Sequence, residues 1–422
     1  MRFLLSFLAM AGSVACAPES GGDGSVAEAL RKIDEKVLRD HIGFLASDEL
    51  EGRAAGFPGN DKAVDYLVAR VEELKLVPAG ESGYLQELSF RGGRKAKNVI
   101  ALLEGGDPKL KDEFVAIGCH LDHVGRRGQE VGGQSPGGPE GDEIWNGADD
   151  NASGTAAVLA VARAFAEGKL RPRRSVLFCW WNAEEAGLLG SKHWVRNPTR
   201  PLHKVVYYLN LDMVGRNPDR PMDMEGTRNA EGDALEKLIG AALGAEGVKF
   251  TPFEHSNEAM FRSDGASFLQ QGIPASMMFT SWHADYHKTG DHAEKIAYPN
   301  LARIARAAFR IVHGVGSLDA TLRLNPDVPL GGKPLRIRGE DLAGKGAFRV
   351  TQVTPGSVLD LAGLRAGDVV TGLGGQPLPE LRPLAEFWKR VQAAKFDQAV
   401  RIDLERAGAA TILDVTWPRK PN

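Results

Sequence analysis

Cysteine is scarce: the 422-residue chain holds three. Cys16 lies in an N-terminal targeting segment, which leaves Cys119 and Cys179. Both sit in apolar runs, Cys119 beside His120 and Cys179 shortly before Glu184. A disulfide-stapled scaffold is therefore excluded, and the two thiols read as buried free groups in core strands. Surplus positive charge is also lacking. A formal net charge of −3 gives no reason to expect nucleic acid, whose binders usually carry a basic face. After the first residues no apolar run is long enough to cross a bilayer, so the mature chain reads as soluble or tethered.

The N-terminus reads as a signal. Arg2 supplies the short positive region and Phe3 to Ala11 an apolar core too short to span a membrane. Ser13-Val14-Ala15-Cys16 resembles a bacterial lipobox with Cys16 as the lipid-bearing residue, although Ser13 stands where leucine is usual. Cleavage after Ala17 by ordinary signal peptidase is the competing outcome. Both imply an exported protein of the bacterial cell envelope, in the periplasm or membrane-tethered, or a secreted one.

Glycine is abundant, at 50 residues, and points to many loops. Ser20 to Ser25 reads as a flexible linker, Val26 to Leu45 as one amphipathic helix and Asn60 to Leu76 as another. From there strands alternate with helices. Strands are expected at Tyr84–Phe90, Asn98–Leu103, Phe114–Gly118, Ser175–Trp181, Val205–Leu211 and Pro274–Thr280. Helices are expected at Asn151–Glu167, Ala183–Trp194, Asp233–Leu243, after Ser263-Asp264, and at Asn300–His313. Gly125 to Gly141 reads as a glycine-rich loop near the site. This alternation indicates an α/β class with a three-layer αβα mixed sheet. A proline-punctuated connection follows Asp319, and the remainder changes to short strands with two helices, a small α+β unit. The expected division is 1–17 signal, 18–25 linker, 26–316 first domain, 317–330 linker and 331–420 second domain.

Five acidic or histidine clusters lie between Cys119 and His292, each after an apolar stretch or glycine-rich turn. His120, Asp150, Glu185, Asp212 and His287 together offer two imidazoles and three carboxylates. That is too many for one zinc ion but suits two if one carboxylate bridges. The Glu184-Glu185 pair allows one carboxylate to bind metal while its neighbour serves as general base. Asp122 stands two residues beyond His120, placed to accept its second ring N–H. His123 reads as a solvated strand-end histidine, Asp149 as a structural carboxylate, and His283 and His292 rank below His287 as ligands.

The motifs Gly118-Cys-His120-Leu-Asp122, Asn146-Gly-Ala-Asp-Asp150-Asn-Ala-Ser-Gly154, Asn182-Ala-Glu184-Glu185-Ala-Gly187, Asn210-Leu-Asp212-Met-Val-Gly215, Ser263-Asp264 and Asp285-Tyr-His287-Lys-Thr-Gly-Asp291 resemble those of the M28 family of zinc aminopeptidases. The likeness runs from about residue 30 to 315 and includes the leading stretch Phe44-Leu-Ala-Ser-Asp-Glu-Leu-Glu-Gly-Arg53. The resemblance implies two Zn²⁺ per chain. Asp150 would bridge them, His120 and Asp212 would complete one site, and Glu185 and His287 the other. Glu184 would be the general base for a zinc-bridging hydroxide, and Asp122 the partner behind His120. A cis peptide after Asp150 is also implied. Some members carry a tyrosine before the Ser-Asp pair to bind the oxyanion. Here that stretch is Glu258-Ala-Met260-Phe-Arg262, which leaves Arg262 as a weak candidate.

The last segment resembles a bacterial PDZ domain through Val353-Thr-Pro355-Gly-Ser357 and Ala362-Gly-Leu-Arg-Ala-Gly-Asp368. Its peptide-binding loop is expected around Lys345-Gly346-Ala347-Phe348. The combined expectation is an exported aminopeptidase acting on peptide substrates, with a peptide or protein ligand for the PDZ-like unit. Carboxypeptidase and one-zinc glutaminyl cyclase are the enzyme alternatives. A non-catalytic receptor or scaffold is the alternative from another class, and the intact ligand set speaks against it.

Overall fold

The computed structural model describes residues 25–129, 134, 141–226, 234–251, 259–322, 337–353, 358–380, 383–393 and 399–416. Cys16, the linker to residue 24, most of the connection between the two units and both glycine pairs of the loop after Gly125 lie outside them. No helix among the described residues is long and apolar enough to cross a membrane.

An eight-stranded mixed sheet forms the first unit. Its strands are β1 (Val77–Pro78), β2 (Leu85–Phe90), β3 (Arg94–Leu103), β4 (Phe114–His120), β5 (Ser175–Trp181), β6 (Val205–Leu211), β7 (Asp223–Gly226) and β8 (Ala275–Phe279). The order is β1-β3-β5-β4-β6-β8-β7, with β2 paired to β3. The central strands β5, β4, β6 and β8 are parallel, and β3 and β7 flank them antiparallel.

The helices are α1 (Val26–Leu30), α2 (Glu35–Leu45), α3 (Pro58–Glu73), α4 (Gly154–Glu167), α5 (Leu189–Arg196), α6 (Ala234–Ala245), α7 (Gly265–Leu269) and α8 (Tyr298–Ser317). Side chains of β4 and β5 alternate between two cores. Val115, Ile117, Cys119, Phe178 and Trp180 pack with α2, α3, α4, α6 and α8. Ala116, Leu177, Cys179 and Trp181 pack with α5 and α7 on the opposite face. The three-layer expectation holds. Both faces are covered, which is why β4, β5 and β6 read as unbroken apolar runs. Cys119 and Cys179 are free and buried, as expected.

Several expected elements differ. Val26 to Leu45 is two helices, because the Asp34 side chain caps Val37 N and starts α2 afresh. The helix expected from Ala183 begins only at Leu189, since Ala183 and Leu188 take left-handed backbone (φ 56° and 59°). The helix expected from Asn151 begins at Gly154, after an irregular turn over Ala148–Ser153. Strand β7 is short and polar, with no alternation to reveal it.

The second unit holds β9 (Ile337–Leu342), β10 (Ala347–Val353), α9 (Val358–Leu361), β11 (Val369–Leu373), β12 (Gln376–Pro377), α10 (Pro383–Ala393), β13 (Ala399–Arg406) and β14 (Ala409–Thr416). Its antiparallel sheet runs β14-β13-β11-β10-β9 around its own core, which includes Phe348, Phe387 and Ile402. The expected binding loop is corrected here. Residues 343–346 form the turn of the β9–β10 hairpin, and Phe348 is fully buried. Strand β10 is paired on both sides, so it has no edge to offer. Among the described residues the sheet's edges are β9 and β14, and β9 lies beside α10, where Leu384 N donates to Asp341 Oδ1 at 2.9 Å.

Candidate metal centre

Parallel strands deliver their ends to one edge of a sheet. His120 ends β4, Asp212 follows β6, and Glu184 and Glu185 lie in the turn after β5. Asp150 stands in the irregular turn ahead of α4, and His287 lies in the connection after β8. The backbone is unusual at these points. Ala183, Met213 and His287 all have positive φ (56°, 50° and 53°), and Asp150–Asn151 is a cis peptide, as the resemblance implies. Left-handed conformations of residues with a Cβ cost energy and persist where packing enforces them, commonly at functional sites.

Asp150 sits at the centre. Its Oδ1 lies 3.3 Å from His120 Nε2, which is also 3.3 Å from Asp212 Oδ1. Its Oδ2 lies 3.0 Å from His287 Nε2, which is 3.2 Å from Glu185 Oε1. The two oxygens of one carboxylate therefore face two different donor groups. Spacings of this size match the edge, about 3.3 Å, of a tetrahedron of ligands about 2.0–2.1 Å from zinc. The residues thus fit a pair of metal ions sharing Asp150.

His123 requires correction. It is fully buried rather than solvated, with Nδ1 3.0 Å from Glu185 Oε1 and 3.7 Å from Asp150 Oδ2. It joins Asp150, Glu185 and His287 in a four-donor group, while His120, Asp150 and Asp212 form a three-donor group. The His-x-x-His spacing beyond a buried strand was the overlooked signal.

Asp122 also acts differently from expectation. His120 Nδ1 lies 3.1 Å from the Asp122 main-chain oxygen and 3.9 Å from the side-chain Oδ1. The carboxylate instead accepts Glu184 N at 3.0 Å and Glu185 N at 3.3 Å. It thereby holds the turn that presents both glutamates, and the turn rather than helical geometry makes them diverge. Asp149 is structural, accepting Gly215 N at 2.6 Å. His283 pairs with Asp149 and His292 with Asp142, so neither joins the cluster. Asp291 Oδ2 accepts both Asp149 N and Asp150 N, at 2.9 and 3.1 Å.

The electrostatics suit a cation site. Burial opposes charge on Glu185, yet the His123 and His287 rings bring its carboxyl down to about 2. Burial opposes the charged form of His287, but Asp150 and Glu185 raise it to about 11. His287, like His120, thus holds a proton among carboxylates, where a metal cation would take the proton's place, whereas burial lowers His123. Glu184 differs. Burial pushes its carboxyl well above the ordinary range, reinforced by Glu185.

A cleft of 460 Å³ opens over the cluster. Its walls include Leu188, Met213, Met277, Phe279 and Trp282, with Lys192, Arg262 and Ser263. Arg262 is exposed, its guanidinium 5.1 Å over the Trp282 ring, so it lies at the rim. Tyr286 also lines the cleft and stacks on His287 at 3.9 Å between ring centres. Burial and the nearby carboxylates raise its phenol, which stays protonated. Nothing in the sequence around Tyr286 marks it, because only its neighbour His287 fits a ligand pattern.

The model of peptidase family M28 matches residues 98–312, and a PDZ domain model matches residues 349–406. Leupeptin-inactivating enzyme 1 of Streptomyces exfoliatus is 33% identical over 263 residues, covering 62% of this chain and 51% of that protein. Leucine aminopeptidase 2 of Arthroderma otae is 29% identical over 341 residues, covering 72% of this chain and 63% of that one. The chain therefore spans about half of the first relative and under two thirds of the second. A zinc aminopeptidase from Bacillus subtilis superposes with a TM-score of 0.52 at 16% identity, over 69% of this chain and 98% of that one, a likeness of fold.

Proposed function

The chain belongs to peptidase family M28, and on that premise we propose that it is an exported two-zinc aminopeptidase that releases N-terminal residues from peptides. The observation that carries this reading is Asp150, whose two oxygens face separate donor groups. His120 and Asp212 would hold one zinc with it, and Glu185 and His287 the other, with His123 beside the second group. When bound, the zinc ions would polarise the scissile carbonyl and acidify a water molecule.

The chain's own residues do the rest. Glu184 takes the proton from the attacking water and passes it to the departing amine, so the carboxylate is regenerated. Glu184 lines the cleft beside both donor groups, as a general base for that water requires. Asp122 keeps Glu184 and Glu185 in register through their N–H groups. Tyr286, protonated in the cleft wall, donates to the oxyanion as charge develops. The apolar wall from Leu188 to Trp282 receives the side chain of the released residue and excludes water. In the PDZ-like unit, the β9 edge beside α10 would take an extended peptide as an added strand.

Two measurements test the proposal. Metal analysis of purified protein should find about two zinc ions per chain at saturation. A panel of aminoacyl, carboxypeptidase and N-terminal glutaminyl substrates should be turned over only in its aminoacyl members. One zinc with glutaminyl cyclisation would overturn the reading, as would strict dependence on a free carboxyl terminus. Export by a lipid anchor predicts labelling with a fatty-acid analogue that Cys16→Ser abolishes. Labelling unaffected by that change would remove the anchor.

A further inference from the structure

The stretch ahead of α3 contributes none of the proposed ligands, yet it ends in a cation sealed inside the protein. Arg53 is 1% exposed. Among the described residues no carboxylate lies within ion-pair distance of its guanidinium, which is spent on main-chain carbonyls. Nε donates to Leu121 O at 3.0 Å, Nη1 to Leu45 O at 2.5 Å and Asn146 O at 2.7 Å, and Nη2 to Gly147 O at 2.9 Å. Leu121 follows His120 directly, and Asn146-Gly147 leads into Asp149-Asp150. One planar fork therefore ties the segment bearing one donor to the segment bearing the shared carboxylate.

The main chain around it reinforces the tie. Arg53 O accepts His123 N at 3.3 Å and Asn60 Nδ2 at 3.0 Å, and Gly52 O accepts Gly125 N at 3.0 Å. Gly52 has φ +68°, and a Cβ there would fall 2.3 Å from Gly125 O and 2.4 Å from Trp145 O. Only glycine permits this approach. A lysine could not replace the fork, because a single ammonium cannot span carbonyls of three separate segments.

We infer that Arg53 is a positioning residue for the metal centre, setting the spacing of the His120 and Asp150 segments. The inference rests on the proposed two-zinc reading. It carries a sign that separates it from a charge effect. A buried cation beside a cation site opposes metal binding, so removing its charge alone would tighten zinc. Removing a clamp on the ligand segments would weaken it, by about 10–100-fold if it acts as the supporting shells of metal sites do.

The experiment is zinc affinity by competition with a chromophoric chelator, with the visible spectrum of the cobalt-substituted protein as a second readout. It is run on full-length wild type, Arg53→Met and Arg53→Lys, with Leu67→Ala as control. Leu67 is buried on α3, outside the segments that bear the proposed ligands, so its truncation lowers stability without removing any of the Arg53 hydrogen bonds. Both Arg53 variants should bind zinc at least about 10-fold more weakly and show altered cobalt spectra, while the control keeps wild-type affinity. Unchanged or tighter binding by Arg53→Met overturns the inference, as does a wild-type result for Arg53→Lys. If the Met variant does not fold, the Lys variant decides with the same two outcomes. Equal weakening in Leu67→Ala would reduce Arg53 to general stability. A wild-type chain that takes up no zinc overturns the metal reading and this inference together, whereas unchanged variants of a zinc-binding wild type overturn this inference alone.

Discussion

At the scale of single residues, chemistry and metal binding are separable in this site. Glu184 lies within none of the donor groups, although it lines the same cleft as their members. Glu184→Gln should therefore retain the metals while kcat falls by about 10²–10⁴-fold, the usual contribution of a general base. Near-normal turnover by a metal-replete variant would take Glu184 out of the mechanism. Tyr286, which lines the cleft and lies outside the donor groups, is the proposed donor to developing charge. Tyr286→Phe should lower kcat by about 10²–10³-fold with a smaller change in KM, because one oxyanion donor acts mainly in the transition state. A selective rise in KM would instead mark Tyr286 as a wall of the substrate cleft. The clusters were legible as residue types at spacings. His123 was not, because whether a histidine beyond a strand is wet or buried depends on what packs over it.

At the scale of elements, the packing of α2 on α3 creates a titrating joint away from the site. His41 Nδ1 and Tyr66 Oη lie 2.6 Å apart, and Phe44 stacks on Tyr66 with centroids 4.3 Å apart. Burial, with Arg70 and Arg163 nearby, lowers His41 from 6.5 to about 4. The depressed histidine is neutral in the folded chain and takes a proton first when unfolded. Its contribution is therefore intact above pH 6.5 and is lost as pH falls toward about 4. Between pH 7.5 and 5 the loss should be about 2 kcal/mol, at about 1.4 kcal/mol per pH unit. Urea midpoints of wild type and His41→Gln at these two pH values test this. Parallel declines in both proteins would show that His41 is not the source. Element limits were readable where an apolar run was unbroken, as in β5 and β6. They failed at α5, whose start depends on left-handed backbone at Ala183 and Leu188 that packing of the site turn imposes.

At the scale of the whole molecule, the two units keep separate cores, since the residues around Phe348 and Phe387 share no cluster with those of the first sheet. All the proposed ligands precede the second unit. Deletion from about Pro329 should therefore leave kcat on a short aminoacyl reporter unchanged. On longer peptides it should raise KM, because only remote binding is lost. Equal losses on short and long substrates would mean that the PDZ-like unit stabilises the first instead of recruiting substrate.

The sequence by itself determined the α/β class, the strands, and the five donor-bearing residues and the Glu184-Glu185 pair that come together at one sheet edge, because these depend on local apolar runs and on which side chains can bind metal or move a proton. Only the tertiary structure decided how Asp150 divides its two oxygens, that Asp122 grips the glutamate turn, that Arg53 ties the segments around His120 and Asp150 together, and that β9 rather than β10 is an edge of its sheet. Each of these is a contact between residues tens of positions apart or a question of which strand pairs with which. The free energy of such contacts comes from the packed arrangement, which no local pattern records.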